Sequence, residues 1–226
     1  AGWSTTGLAT MATFRRISAH GDSLAHVVHE AAPEYPNVRA HALLEVPGGF
    51  LLAGQTGEVN VGDTQGMLRM VDLDGAPQWT ESYGSNGHGG VNAVVAVEGG
   101  YAWVGSFASN AGGFDDFWFG LTDTQGHAIG PLKTYGGNDW DQAAALARAG
   151  DGFVLTGTTA SKGAGGYDCW LVRASSSGDL LWDRTYGGPG KDGCTAVRPL
   201  ADGYILAGSR DTGEEAGAWL IRTDAA

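Results

Sequence analysis

The chain has 226 residues, of which 42% are hydrophobic and 39 are glycine, so it is long enough to bury a substantial core as one domain. Its formal net charge of −12 argues against nucleic acid or an anionic membrane surface as a partner. No apolar run approaches the roughly 20 residues that a transmembrane helix needs, and this excludes a helical membrane span.

The N-terminal segment predicts the outer half of a β-sheet. Residues 1–13 fit the end of a second strand and its loop. Phe14–Ser18 then fits a third strand, and Leu24–His29 fits a fourth strand after a turn at Gly21. The segment 1–31 is therefore expected to supply strands that close a larger assembly.

A unit of about 51 residues recurs through the rest of the chain. Each copy has a hairpin turn in which a glycine precedes an aromatic residue, and these glycines are 51, 52 and 51 residues apart (Gly49, Gly100, Gly152 and Gly203). The turn glycine, for example Gly152, is expected to adopt a positive φ. A fixed period of this length indicates a repeat architecture. The full units are residues 32–83, 84–135 and 136–186, and residues 187–226 form a last, partial unit.

Each unit predicts four short strands. The strands are rich in aromatic and branched side chains and are bounded by Gly, Asp, Asn and Ser. In the clearest copy they are Gln142–Arg148, Phe153–Thr158, Asp168–Ala174 and Leu180–Thr185. Gln142–Arg148 is rich in alanine and resembles a helix, but its counterparts Val91–Val97 and Cys194–Val197 favour a strand.

Four strands per repeat at this period predict the blades of a β-propeller, so the expected fold is a single all-β domain over residues 1–226. The predicted strands number 17, one more than four complete blades require. We expect four blades, closed by Leu24–His29 as the outermost strand of the last blade, because closure removes an exposed sheet edge. A five-bladed ring with one incomplete blade is the alternative, as is an excerpt of a longer propeller.

The pattern Y-G-G…D…D-G-aromatic…G…D-x-W-L…G…W is clearest in Tyr135–Trp182 and is present again in Tyr186–Leu220. It resembles the repeats of quinoprotein-like and WD-type β-propellers. The quinone-dependent members imply a cofactor in a larger ring, with metal ligands and a vicinal disulfide. No residues here match that site, so neither a cofactor nor a metal is expected. The resemblance implies a blade scaffold that serves as a binding or assembly platform.

Several recurring residues have structural interpretations. Asp141, Asp168 and Asp192 lie at turns, where a carboxylate accepts backbone N–H bonds and ties loops together. The tryptophans that recur once per unit are expected to pack between blades. Cys169 and Cys194 are expected to be two buried thiols. A disulfide between them is the alternative, although no framework spacing supports it.

Residues that break the repeat are the candidates for function, because the scaffold explains the residues that recur. In this topology the loops from the fourth to the first strand and from the second to the third strand emerge on the same face. Aromatic side chains beside carboxylates suit a cationic or hydroxyl-rich ligand, or a protein partner. The candidate ligand-binding residues on these loops are His88, Phe114, Asp115, Asp139, Trp140 and Tyr167.

A second candidate set lies near the mouth of the expected channel. The same slot of the innermost strand reads His41, Asn92, Ala144 and Thr195, of which His41 and Asn92 are candidate ligand-binding residues. Trp140 is the leading candidate outside the channel, because no packing role requires an indole in its loop and an indole stacks well on a sugar or a cation.

The sequence predicts a non-catalytic propeller that binds a small molecule, a carbohydrate or a protein rather than nucleic acid. An extracellular, periplasmic or cell-surface location is expected. The alternative is a propeller enzyme, such as a lyase, cyclase or hydrolase, in which His41, His88 and the loop acids perform acid–base chemistry. An enclosed pocket that holds His41 with a carboxylate within hydrogen-bond reach would favour the enzyme.

Overall fold

A computed structural model describes residues 12–29, 38–58, 63–84, 88–108 and 114–224, with the backbone alone for 12–16, 23–29, 58 and 63. These residues form 17 strands, which confirms the predicted all-β class and the strand count. Within the same ranges there is no helix long and apolar enough to span a membrane. Residues 1–11, which were expected to end a second strand, lie outside the described residues.

The strands form five antiparallel sheets that follow one another along the chain. An N-terminal hairpin contains β1 (Ala12–Ile17) and β2 (Ser23–His29). The first sheet contains β3 (Val38–Val46), β4 (Gly49–Glu58), β5 (Asp63–Asp72) and β6 (Pro77–Tyr83). The second sheet contains β7 (Gly89–Val97), β8 (Gly100–Ala108), β9 (Asp115–Asp123) and β10 (Lys133–Tyr135).

The remaining strands form two further sheets. The third sheet contains β11 (Asp141–Ala149), β12 (Gly152–Thr159), β13 (Asp168–Ala174) and β14 (Leu180–Tyr186). The fourth sheet contains three described strands, β15 (Gly193–Leu200), β16 (Gly203–Asp211) and β17 (Ala216–Asp224). Within each sheet, every strand pairs with the next strand in sequence, so each sheet is an antiparallel meander.

The hairpin glycines at the start of the second strand are required by a close backbone approach. A Cβ atom on Gly152 would lie 2.2 Å from the carbonyl oxygen of Ala174 on the neighbouring strand. The equivalent distance is 1.8 Å at Gly100 and 1.9 Å at Gly49. The expectation that Gly152 has a positive φ is wrong, because the left-handed residue of that turn is Gly150, at φ +55°. The glycine is needed for space rather than for its backbone angle.

Adjacent sheets are held together by aromatic contacts across each interface. The ring centroids of Tyr83 in the first sheet and Trp103 in the second are 4.8 Å apart, and both side chains are buried. Phe117 of the second sheet and Trp170 of the third have centroids 4.7 Å apart. Trp182 of the third sheet meets Tyr204 of the fourth at 5.8 Å. These contacts between neighbouring sheets confirm the packing role that was predicted for Trp170 and Trp182.

A disulfide bond joins the third sheet to the fourth. Cys169 on β13 and Cys194 on β15 are bonded to each other and are buried. The expectation of two free buried thiols is therefore wrong. The repeat brings the first strand of one sheet against the third strand of the previous sheet, and sequence spacing alone does not reveal this proximity. A cross-link between residues that are 25 apart in sequence stabilises the fold by about 3 kcal/mol, mainly through the unfolded chain.

The two ends of the series expose faces that are buried in every other sheet. Leu220 on the fourth sheet is 67% exposed, whereas its counterparts Leu171 and Leu68 are fully buried against the next sheet. Leu43 on the first sheet is 63% exposed, whereas its counterpart Val94 is buried against the preceding sheet. The front face of the first sheet and the back face of the fourth are thus the two unmatched surfaces among the described residues.

The strands that were expected to close the last sheet do not pair with it in the described part of the chain. There β17 pairs only with β16, and β2 pairs only with β1. The N-terminal hairpin instead repeats the geometry of the third and fourth strands of a sheet, since its register shift between Arg16 and Ile17 matches the shift between Arg173 and Ala174. β1 contacts β3 at the front of the first sheet.

We predict that Gly152→Ala lowers the free energy of unfolding by about 1–3 kcal/mol, because the added methyl group would force the Ala174 carbonyl away from its strand position. Chemical denaturation followed by circular dichroism measures the change. Gly213→Asn is the control: Gly213 has φ +84° with open space around it, and Asn tolerates that angle. Equal stability of wild type and Gly152→Ala would contradict the assignment.

Candidate functional site

A β-bulge occurs at the same position of the first strand in each of the first to fourth sheets, namely in β3, β7, β11 and β15. The pairing of the first and second strands shifts by one residue at each of these positions, so that one residue is left without a partner. A bulge bends its strand and redirects a side chain, and bulges are common next to functional sites. The bulged residues are His41, Asn92, Ala144 and Thr195. They are the four residues that the sequence placed in one slot near the channel mouth.

A single cavity of about 430 Å³ lies beside these bulges and is lined by residues of all four sheets. The first sheet contributes Gln55 and Thr64, and the fourth contributes Cys194 and Thr195. The polar lining residues of the second and third sheets are His88, Asn92, Ser106, Asp115, Gln142 and Thr158. The cavity is large enough for a small molecule, and its wall is unusually polar for a ligand pocket.

Side-chain hydrogen bonds connect the innermost strands of the first three sheets. The Nδ1 atom of His41 lies 3.0 Å from Oδ1 of Asn92 and 3.2 Å from the carbonyl oxygen of Val91. Both partners are acceptors, so His41 carries its proton on Nδ1 and donates it. The Nδ2 atom of Asn92 in turn donates to the carbonyl oxygen of Ala143 at 2.7 Å. The bulged residues therefore position one another across three strands.

His41 does not line the cavity, and its partner is an amide rather than a carboxylate. The arrangement that would favour acid–base chemistry at His41 requires a carboxylate within hydrogen-bond reach, and none of the described residues supplies one. His41 therefore holds Asn92 in place, and Asn92 faces the cavity. The structure brings His88 and Asp115 into the cavity wall instead.

Asp115 is the only carboxylate among the described residues that line the cavity. It is 9% exposed, and its Oδ2 atom accepts one long hydrogen bond of 3.4 Å from Nε2 of Gln142. Its Oδ1 atom is buried and has no hydrogen-bond partner in the described structure. Burial raises the pKa of the Asp115 carboxyl above its ordinary value. The Gln142 bond and the nearby His88 oppose that rise, and the charge of Asp116 adds to it.

Two of the predicted loop residues form an aromatic pair. The rings of Phe114 and Trp140 meet edge to face with centroids 5.7 Å apart, and both side chains are partly buried. Neither residue lines the cavity, although each is close in sequence to a residue that does, Asp115 or Gln142. The indole of Trp140 has a packing contact with Phe114, so the expectation that it has no packing role is wrong. An aromatic edge beside polar groups favours stacking of a ligand that enters the cavity.

Asp139 and Tyr167 bring the two kinds of loop together on one face, as predicted. The backbone N–H of Asp139 donates to Oγ of Ser161 at 3.0 Å, which joins a fourth-to-first loop to a second-to-third loop. Tyr167 pairs with Lys191 in a short parallel bridge, and the lysine Nζ lies 5.9 Å from the centre of the tyrosine ring. Neither Asp139 nor Tyr167 lines the cavity, so the structure gives them a loop-ordering role and leaves their ligand-binding role a prediction.

The recurring aspartates tie turns, as the sequence predicted. Asp141 accepts the N–H of Gly137 at 2.9 Å, and Asp192 accepts the N–H of Gly188 at 2.7 Å. Asp168 accepts the N–H of Ala164 at 2.9 Å. All three carboxylates are buried. Within the part of the chain that is described, no group of three or more His, Cys, Asp or Glu side chains is placed to hold a metal ion.

Several cavity residues were not foreseen from the sequence. Gln55, Thr64, Ser106, Gln142 and Thr158 lie at the ends of strands, where small polar residues are also usual for structural reasons. Ser106 and Thr64 already accept backbone N–H bonds, from Ala143 and Gly89. The extra residue in the first strand of each repeat is the one sequence signal that points to the cavity, because a bulge redirects a side chain.

We predict that Asp115→Asn raises the free energy of unfolding at pH 7 by about 1 kcal/mol, because it removes a buried charge with an unpaired oxygen. The folded protein holds the Asp115 proton more tightly than the unfolded chain does. In the wild type, stability from this group is therefore present below the ordinary aspartate pKa of 3.8 and is lost as pH rises through the raised value.

Denaturation curves at several pH values measure this difference between Asp115→Asn and the wild type. The gain in unfolding free energy of the variant over the wild type should shrink towards pH 3. The groups that face Asp115, namely His88, Asp116 and Gln142, are present in both proteins, so their own titration affects both equally. A variant that is less stable than the wild type at pH 7 would show that Asp115 is a structural residue.

Comparison of the chain with models of known protein families and with curated proteins finds no match. The likeness to quinoprotein-like and WD-type propeller repeats therefore stays an expectation. The features of the site come from this chain alone: four bulged inner strands, a cavity shared by four sheets, and one buried carboxylate in its wall.

Proposed function

We propose that this protein is a β-propeller that binds a small, hydroxyl-rich ligand, such as a carbohydrate, in the cavity beside its bulged inner strands, without catalysis. The observation that carries the proposal is the single cavity of about 430 Å³ to which all four sheets contribute residues. Because each of the four sheets contributes at least one polar side chain to the cavity, a bound ligand can form hydrogen bonds in several directions.

The chemistry of the wall supports a hydroxyl-rich ligand. Amide and hydroxyl side chains both donate and accept hydrogen bonds, as sugar hydroxyls do. Such side chains in the cavity wall include those of Asn92, Gln142, Ser106 and Thr158. In the proposed complex the Phe114–Trp140 pair adds an aromatic surface at the entrance. Stacking of a sugar ring on an aromatic side chain combined with hydrogen bonds to amides would fix both the position and the orientation of the ligand.

The proposal includes a closed ring, in which the four sheets are blades around the cavity. A cavity to which four consecutive sheets contribute residues favours a series of sheets that curves about a common axis. The exposed faces that carry Leu43 and Leu220 are equivalent to the faces that meet at each internal interface, so they complement each other. The N-terminal hairpin beside β3 lies at the join. A fifth blade is the alternative, because β1 and β17 both have the place of a third strand.

Ring closure predicts that Leu220→Ser lowers the free energy of unfolding by about 1–2 kcal/mol, since it places a hydroxyl in an apolar interface. Leu180→Ser is the matched control, because Leu180 is exposed on an outermost strand. Thermal and chemical denaturation measure both variants. If the two changes are equally harmless, the back face of the fourth sheet is open in solution.

An extracellular, periplasmic or cell-surface location accompanies this function. The buried Cys169–Cys194 disulfide supports it, because structural disulfides form and persist in oxidising compartments. The charge of −12 is also compatible with a surface that stays free of nucleic acid.

One observation favours a second function, a propeller enzyme. His88 and Asp115 line the same cavity, and the raised pKa of Asp115 suits a general acid. Hydrolysis of glycosidic bonds usually needs two carboxylates, and Asp115 is the only one among the described lining residues. We therefore favour binding without catalysis. Hydrolysis of chromogenic glycosides by the purified protein would show instead that it is an enzyme.

Binding is tested by isothermal titration calorimetry with a panel of neutral, amino and acidic monosaccharides. We predict saturable binding of at least one of them, and Gln142→Ala and Trp140→Ala should each weaken it by about 1–3 kcal/mol. Gln142→Ala should leave the melting temperature unchanged because its side chain is exposed, whereas Trp140→Ala should lower it slightly because its ring packs against Phe114.

The control is Gln125→Ala, which removes an exposed amide at the opposite, hairpin-turn end of the second sheet and should leave binding unchanged. Absence of binding across the whole panel would overturn the proposed ligand class. Early unfolding of Trp140→Ala with normal binding would show that Trp140 is a core residue.

A further inference from the structure

Resting on the proposed function, we propose that the ligand of this cavity carries a protonated amine as well as hydroxyl groups, and that Asp115 binds the amine. The ligand class is therefore that of amino sugars and small amino alcohols. Asp115 acts as the specificity-determining residue, and the amide and hydroxyl side chains around it bind the rest of the molecule.

The first argument is the unsatisfied carboxylate. Asp115 is buried, its Oδ1 atom has no partner in the described structure, and the bond from Gln142 to Oδ2 is long at 3.4 Å. A buried carboxylate without a hydrogen-bonded partner is costly, and natural proteins retain few of them. A ligand that donates to Oδ2, which accepts only the long Gln142 bond, would offset part of this cost.

The second argument concerns charge. The described residues that line the cavity include no lysine or arginine. Their only basic side chain is His88, which is exposed, so water screens its effect on the carboxylate. The chain as a whole carries 25 acidic and 13 basic residues, so the long-range field also attracts a cation. A ligand ammonium group would supply the counter-charge that the protein does not.

The third argument is the distribution of the other polar groups. Asn92 is held by His41 and Ala143, so it presents fixed atoms to the cavity, and Gln142 lines the cavity beside it. Fixed amides and hydroxyls discriminate among hydroxyl positions, but they cannot neutralise a charge. The carboxylate and the amides therefore have separate tasks, and a ligand with an amine on a hydroxylated ring satisfies both.

The experiment compares three probes that share one ring. Glucosamine has an amine where glucose has a hydroxyl, and N-acetylglucosamine has an uncharged nitrogen at the same carbon. Calorimetric titration of the intact chain at pH 7 should give an affinity for glucosamine at least tenfold higher than for either other sugar. This comparison needs no variant, so it does not depend on the folding of a mutant.

Asp115→Asn, which keeps the shape of the side chain and removes its charge, should abolish the preference for glucosamine. Glu98→Gln is the matched control: it removes one negative charge from the same sheet, but at the exposed hairpin-turn end, and should keep the preference. Circular dichroism confirms that each variant is folded.

The outcomes separate this inference from the function on which it rests. Equal affinity for glucose and glucosamine would overturn the role of the amine, while sugar binding as such would stand. A preference for glucosamine that survives Asp115→Asn would overturn the role of Asp115. Failure of all three sugars to bind, while another sugar of the panel binds, would overturn this inference alone; absence of binding across the whole panel would overturn the proposed function as well.

Discussion

The packing of the front face of each sheet on the back face of the sheet before it is the contact on which the structure depends. At every internal interface it buries an aromatic pair, for example Tyr83 with Trp103 and Trp182 with Tyr204. The third and fourth sheets are also joined covalently by Cys169 and Cys194. Because the first strand of each sheet packs on the sheet before it, this packing brings residues far apart in sequence to the wall of one cavity. Removing one sheet would therefore disrupt both the core and the site.

The residue at the bulged position of the first strand differs between the four sheets, and these differences create the candidate site. Each innermost strand has a bulge at one position, but the residue there differs from sheet to sheet. His41 and Asn92 use their bulges to bond to each other, whereas Thr195 uses its bulge to face the cavity. Asp115 differs from the recurrent aspartates in its place, because it lines the cavity, whereas Asp168 and Asp141 accept backbone N–H bonds in turns. A carboxylate kept at a cost to stability is a mark of function rather than of folding.

Local patterns were readable from the sequence, but contacts between sheets were not. Strand positions follow from alternating apolar residues and turn glycines, so β13 and β17 lie where the repeat predicts them. The disulfide could not be predicted, because it depends on the distance between two sheets rather than on cysteine spacing. His41 and Asn92 were correctly grouped in one slot, yet only the geometry reveals that His41 supports Asn92 instead of facing the cavity. Gln142 was missed because a polar residue at a strand end has an ordinary structural explanation.

The most direct test of a ligand site shared by residues of several sheets is NMR mapping of backbone amides during titration with glucosamine. The account predicts shift changes at residues from different sheets that meet only in the cavity, namely Asn92, Asp115, Gln142 and Thr195. Amides at the opposite end, such as those of Gly99 and Gly150 in the hairpin turns, should not move. Shift changes confined to those turns, or spread over the outermost strands, would contradict the account.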